Sequence, residues 1–314
     1  MAYEDTERQG LKQAVDRALV KPEWSRTYEI SRAEARTVYG VGAELVDVLL
    51  DMGFPCKGRG DRVVFDPLDL ENLALDLQLP SASRAAMSLW SRSFKEPSRL
   101  STASCSVQMS WSCPIPGHAG DCDFSLSPRI EGQAEATISS ERSGWKASLD
   151  VRLLNDEHVF QDEISALVQE SKNLHFHRLI PELAEDMGFL REHRIADCRS
   201  GSIHLAGVAA EAGLVVRQAS GYFVGVPFLV PHIWLDVDVN GQWIAADPFF
   251  LQTLAHWGVV EPHVWPPERS PRNVLWRIRN DHKEEQLIRH EAVDVPVKLI
   301  ARMSYEPRGV DGSH

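Results

Sequence analysis

The run "PHIWLDVDVNGQWIAADP", residues 231–248, constrains the chain more than any other stretch. Asn240-Gly241 between two alternating segments is the strongest short signal for a two-residue type I′ turn, because both central residues must take positive φ. Such a turn pairs Val239 with Gln242, and the register then runs Asp238 with Trp243, Asp236 with Ala245, Trp234 with Asp247 and His232 with Phe249. His232 and Asp247 become diagonal neighbours on one face, with Cβ atoms about 7–8 Å apart and side chains able to meet. Ile233, Leu235 and Val237 point the other way, into a core. Asp236 and Asp238 share the His232 face, where they either orient the imidazole or form a solvated strand surface; Trp234 on that face either shields the His–Asp contact or packs.

A second stretch, "IADCRSGSIHLAGVAAEAGL" at 195–214, predicts a helix over 199–212 with Gly213 as its left-handed cap. Leu205, Val208, Ala209 and Ala212 form a small-residue apolar stripe for close packing. Cys198 falls at or just before the first turn, where unpaired amides and the helix dipole favour an anion and so a thiolate. A nucleophile needs a base and the base an orienting group, and the hairpin supplies both.

Cys198 at a helix head, then "RQASGYF", "HIWLDV" and "WIAADP" in that order, resembles the core of the transglutaminase-like superfamily. The resemblance covers roughly residues 190–250. It implies an α+β protein with a papain-like, transglutaminase-like core, in which Cys198 is the nucleophile, His232 the general base and acid, and Asp247 the residue orienting it. It implies acyl transfer through a thioester acyl-enzyme. The partners are an acyl donor, carrier-protein-bound thioesters included, and an amine or water acceptor. Amide formation, of the kind used in bacterial natural-product assembly, is the leading expectation. Hydrolysis by a peptidase or amidase is the alternative within the same chemistry, and a binding scaffold with an inactive triad is the alternative outside it. Ala196 and Arg199 depart from the Gly and the aromatic or acidic residue that the family often shows there.

The expected organisation is a helical and antiparallel-β region at 1–154, the catalytic core at 155–270, and an extension at 271–314 whose end is loose. Helices are expected at 11–20 and at 31–52, the second opened by a Ser31/Glu34 capping box and stopped by Gly53. "DRVVFDP" reads as a short strand closed by Pro67, and residues 68–78 and 82–93 read as helices divided by Pro80. "STASCSVQMSWSC" alternates strictly, with Cys105, Val107, Met109, Trp111 and Cys113 on one side, and two strands follow around a turn at 141–144. Helical pattern returns from Asp156, broken near Pro181; a strand is expected at 214–224 and an irregular Pro- and Trp-rich tail from about 256.

A net charge of −12 argues against nucleic acid and anionic membranes as partners. The polar, acidic start and the lack of a long apolar run point to a cytoplasmic protein, so the five cysteines are expected as reduced thiols. No cofactor and no metal are expected. Among Cys105, Cys113, His118 and Cys122 the close C-x-x-C spacing is missing, and a straight strand sets Cys105 about 26 Å from Cys113. Only Cys113, His118 and Cys122 can converge. His175 and His177, at i and i+2 of an expected helix, point to different sides and read as packing or surface residues. His193 and Arg194 are candidates to line the cleft, and Trp257, Trp265 and Trp276 either rim it or fill the core.

Overall fold

The computed structural model describes residues 5–95, 102–118, 122–131, 137–141, 144–154, 157–291 and 293–306. Its N-terminal part is helical: α1 (Asp5–Leu19), β1 (Ile30–Ser31), α2 (Arg32–Tyr39), α3 (Ala43–Asp51), β2 (Val64–Phe65), α4 (Pro67–Asp76) and α5 (Ala82–Lys95). Ser31 and Glu34 form the expected capping box at the head of α2. The expected single helix over 31–52 is nevertheless two. Gly40 takes φ 72° with its would-be Cβ 3.0 Å from the Pro80 carbonyl, a left-handed close approach that ends α2 before α3 begins.

The middle of the chain is β3 (Thr102–Trp111), β4 (Phe124–Leu126), α6 (Pro128–Glu131), β5 (Thr137–Glu141) and β6 (Gly144–Leu154). Cys105, Val107, Met109 and Trp111 are buried as the alternation requires. Cys113 lies past the strand end, and the tip of the expected turn at 142–143 lies outside the described residues.

The remainder is α7 (Ser165–Ser171), β7 (His175–Phe176), α8 (Pro181–Ala184), α9 (Met187–His193), β8 (Ile195–Ala196), α10 (Cys198–Glu211), β9 (Val216–Gly225), β10 (Phe228–Val239), β11 (Gln242–Ala246), α11 (Pro248–His256), β12 (Leu275–Arg279), β13 (Ile288–His290), β14 (Val293–Asp294) and β15 (Lys298–Glu306). Two expectations fail here. The helical run after Asp156 is interrupted by β7, which pairs in parallel with β8. The supposedly irregular tail contributes a short 3-10 turn at 272–274 and strands β12 to β15, because β12, β13 and β15 find partners far away in sequence that no local pattern displays. Its last eight residues, 307–314, lie outside the described residues.

One antiparallel sheet organises the molecule, in the order β12-β9-β10-β15-β3-β6-β5 with β11 on the free side of β10's end. The joint between β10 and β15 is a single pair, Phe228 with Ile300, whereas β15 runs along β3 from Lys298 to Glu306. At the far side β6 comes back against residues 272–274 and β12, so the sheet curls to near closure. One core lies under β3 and β6, centred on Met109 and Leu149, and two more sandwich β10, one holding Trp234 and the other Leu235 and Val237. Trp257 and Trp265 are buried in the Trp234 core and Trp276 in the first core, so the three tryptophans are packing residues. Among the described residues no helix is long and apolar enough to cross a membrane.

Candidate active site

The Asn240-Gly241 turn forms, with φ of 54° and 83°, and the expected register holds from Val239–Gln242 to Leu235–Ala246. It then stops. Asp247 leaves the ladder to become the N-cap of α11, with Pro248 at the first helical position. The expected opposition of His232 and Phe249 therefore does not occur, but the contact that mattered does: His232 Nε2 donates to Asp247 Oδ2 at 2.6 Å. Asp247 Oδ1 accepts from the Phe250 amide at 3.1 Å, so one carboxylate anchors a helix with one oxygen and an imidazole with the other. This second fastening was missed in the sequence, although Asp-Pro ahead of an apolar run is a helix-start signal.

Cys198 is the first residue of α10, and Asp197 is its N-cap, accepting from the Ser200 amide at 2.8 Å in a capping box with the Ser200 hydroxyl. Leu205 and Ala209 seat the helix on Leu235 and Val237 of β10, while Ala212, expected in the same stripe, is exposed. At Gly201 a Cβ would lie 2.8 Å from the Phe249 ring, so the first turn of α10 rides directly on the first turn of α11. The two turns that carry Cys198 and Asp247 thus pack on one another.

The structure brings the three expected residues together. His232 is 5% and Asp247 7% exposed, whereas Cys198 is half-buried, so the imidazole is sealed and the thiol remains within reach. Burial opposes a charge on His232, but the Asp247 carboxylate and the hydrogen-bonded sulfur of Cys198 outweigh it and push the imidazole up to about 10. Since Nε2 is held by Asp247, Nδ1 is the nitrogen left for the sulfur. The ring is flanked by Phe250, centroids 4.3 Å apart, and stacks with Trp234 at 6.1 Å. Both shield the pair from water, which strengthens its electrostatics.

Other assignments change. Asp236 is not on a solvated face: it is fully buried, ion-paired to Arg217 at 3.1 Å and to Arg277, and it accepts from Trp234 Nε1 at 3.2 Å. A strand face reads as solvated only when nothing covers it, and here β9 and β12 supply the covering arginines. Asp238 stays half-exposed and accepts from the Gly241 amide of the turn. Arg194 caps α9 and pairs with Glu170, which His204 also contacts at 2.7 Å. Arg199 pairs with Glu185 at 3.4 Å and Glu284 at 2.9 Å, tying the head of α10 to the segment before β13. Trp234 also lines a groove of about 650 Å³ with Asp150, Arg152, Arg272 and Arg277, and neither Cys198 nor His232 touches it.

His175 and His177 lie on or beside strand β7, where i and i+2 share a face, so they point together and both contact buried Asp76, at 2.8 and 3.2 Å. Arg17 completes that cluster at 2.9 Å. The Arg17 guanidinium on Asp76 supplies the positive charge that a cation would bring, and the arrangement is read as an ion-paired strut between α4 and β7.

No family model and no curated protein matches the chain. It is similar to the crystal structure of a provisionally assigned cysteine protease from Cytophaga hutchinsonii, 10% identical over 69% of this chain and 93% of that one, with a TM-score of 0.31. It is also similar to the crystal structure of a TGase, 13% identical over 40% of this chain and 44% of that one, with a TM-score of 0.22.

Proposed function

We propose that the chain is a cysteine-dependent acyl-transferring enzyme with Cys198 as nucleophile, His232 as base and acid, and Asp247 as orienting residue. The observation that carries this reading is the sealed His232–Asp247 bond of 2.6 Å with the Cys198 sulfur on the same imidazole. In the first step the Cys198 thiolate attacks an acyl carbonyl, and His232 gives its proton to the departing amine or thiol. Asp197 takes up the amides of Arg199 and Ser200, so the Cys198 amide is the helix-head donor assigned to the oxyanion. A thioester remains. His232 then takes a proton from the acceptor, an amine giving a new amide and water giving the acid. Amide formation, with carrier-bound thioesters among the donors, is the preferred outcome, and the same residues serve hydrolysis.

The test is alkylation followed by peptide mass spectrometry at neutral pH, where Cys198 is expected to react far faster than the other four cysteines. Burial holds Cys56 above the ordinary thiol range and pushes Cys105 up to about 12, which sets slow internal references. Equal rates at Cys198 and these references would instead indicate a binding scaffold. Intact-mass measurements with acyl thioesters then separate the products: loss of the acyl mass only when amine is added supports transfer, and loss in buffer alone supports hydrolysis.

A further inference from the structure

The loop that follows β3 and the strand β13 meet in a cluster unrelated to the thiol chemistry above. Cys113, His118, Cys122 and His290 each offer one ligand atom, and all of these atoms lie within 4.8 Å of one another. His118 Nδ1 sits 3.6 Å from Cys113 Sγ, 3.3 Å from Cys122 Sγ and 3.4 Å from His290 Nε2. A tetrahedral zinc with its usual bond lengths, ~2.3 Å to sulfur and ~2.0–2.1 Å to nitrogen, separates sulfur from nitrogen by ~3.6 Å and nitrogen from nitrogen by ~3.3 Å. The three spacings measured from His118 match those of such a tetrahedron, and the four ligand atoms stay within 4.8 Å of one another.

Hydrogen bonding alone accounts poorly for this geometry. A ring nitrogen carries either one proton or one lone pair, yet His118 Nδ1 is within contact of three polar atoms. His290 is 1% exposed, and its Nδ1 lies 2.9 Å from the Asp123 carbonyl. A carbonyl only accepts, so Nδ1 holds the proton and Nε2 presents a lone pair to the cluster. That backbone clamp on the outer nitrogen is how metal-bound histidines are oriented. Spacing in the sequence hid the site, because its fourth ligand comes from far downstream, 172 residues from His118. Cys105, the other cysteine considered, is buried in the core and takes no part.

We propose that Cys113, His118, Cys122 and His290 bind one zinc ion in a closed, structural site. Two soft thiolates and two imidazoles in tetrahedral array favour zinc among biological cations. Binding releases the two thiol protons, and the two thiolates neutralise the ion's charge. With four protein ligands no position is left for substrate, so the ion fastens the β3–β4 loop to β13, which pairs with β4 through His290 and Phe124.

The full chain, purified with a phosphine reductant, is expected to carry about one zinc by elemental analysis. Cobalt exchange should give a thiolate charge-transfer band and intense four-coordinate d–d absorption. Cys113→Ser, Cys122→Ser and His290→Gln should each lose the metal, while Cys56→Ser and Cys198→Ser should retain it. Chelation should lower the melting temperature by about 5–10 °C. Absence of zinc together with no cobalt spectrum on the wild-type chain, or full metal content in both the Cys113 and Cys122 variants, would overturn the site. The cobalt spectrum is read on unmutated protein and does not depend on any variant folding. Retention by Cys198→Ser separates this result from the fate of the acyl-transfer reading.

Discussion

The His232–Asp247 pair and the Asp76–His175–His177 cluster are made of the same groups and tuned in opposite directions. Burial works against charge in both. At Asp76 it is outweighed by bonds from the two imidazoles, so the carboxylate is held far below its usual range, while burial keeps His177 below the usual imidazole range. At His232 the carboxylate and a neighbouring sulfur push the imidazole upward. The two sites also differ in their further partner, which is an arginine at Asp76 and a thiol at His232. A buried His–Asp contact is therefore no sign of catalysis until what occupies the other ring nitrogen is known.

The sharpest way to break the comparison is to mutate each cluster and read both activity and stability. Cys198→Ser or His232→Gln is expected to remove acyl-enzyme formation, with losses of about 10⁴-fold or more. Asp76→Asn should leave Cys198 alkylation within about threefold, because Asp76 bonds to Arg17, His175 and His177 and not to His232 or Asp247. It should still cost about 3–5 kcal/mol in denaturant unfolding, because Arg17 loses its buried partner. If Asp76→Asn abolished labelling while leaving stability intact, the strut assignment would fall.

Asp247→Asn comes next. Asparagine still caps α11 but removes the carboxylate that holds the buried imidazole in its charged form, so stability should fall by about 3–5 kcal/mol at neutral pH, and with the imidazole's orientation lost acylation is expected to fall about 10³–10⁴-fold. Gly201→Ala is smaller: the added methyl meets the Phe249 ring, and overpacking of about 1–3 kcal/mol should appear in unfolding together with slower alkylation of Cys198.

The smallest effect is in pH dependence, and it takes opposite signs at the two sites. His232 has a raised folded pKa, so its contribution to stability is complete below the unfolded value of about 6.5 and is lost as pH rises towards about 10. Asp76 has a depressed folded pKa, so its contribution is complete above about 4 and is lost on acidification below that. Melting temperatures across pH should show His232→Gln flattening only the alkaline limb and Asp76→Asn only the acid limb. Identical profiles for both variants would erase the distinction.

Much of the candidate site was legible because a short loop carries its own geometry. Asn240-Gly241 set the hairpin register that brings His232 to Asp247 and Gly213 set the end of α10, whereas the joining of Cys198 to that pair came from the family resemblance. What the sequence hid depends on chain segments remote from one another. Asp236 looked solvated because Arg217 and Arg277 arrive on other strands, and His175 and His177 looked like helix residues because β7 exists only by pairing with β8. The tail was illegible for the same reason: β12 pairs with β9 and β15 with β3, and neither partnership leaves a periodic mark nearby.

The place of β15 has a consequence for the order in which the molecule is made. Its nearest neighbour along most of its length is β3, so the half of the sheet that ends in β5 stays open at one edge until residues 298–306 have left the ribosome. Until then β3 shows an unpaired row of amides and carbonyls beside an apolar face, a surface prone to self-association. Pairing so distant in sequence also closes slowly. Chains shortened before Lys298 are therefore expected to accumulate as aggregates, even though every residue assigned to the thiol chemistry has already been synthesised.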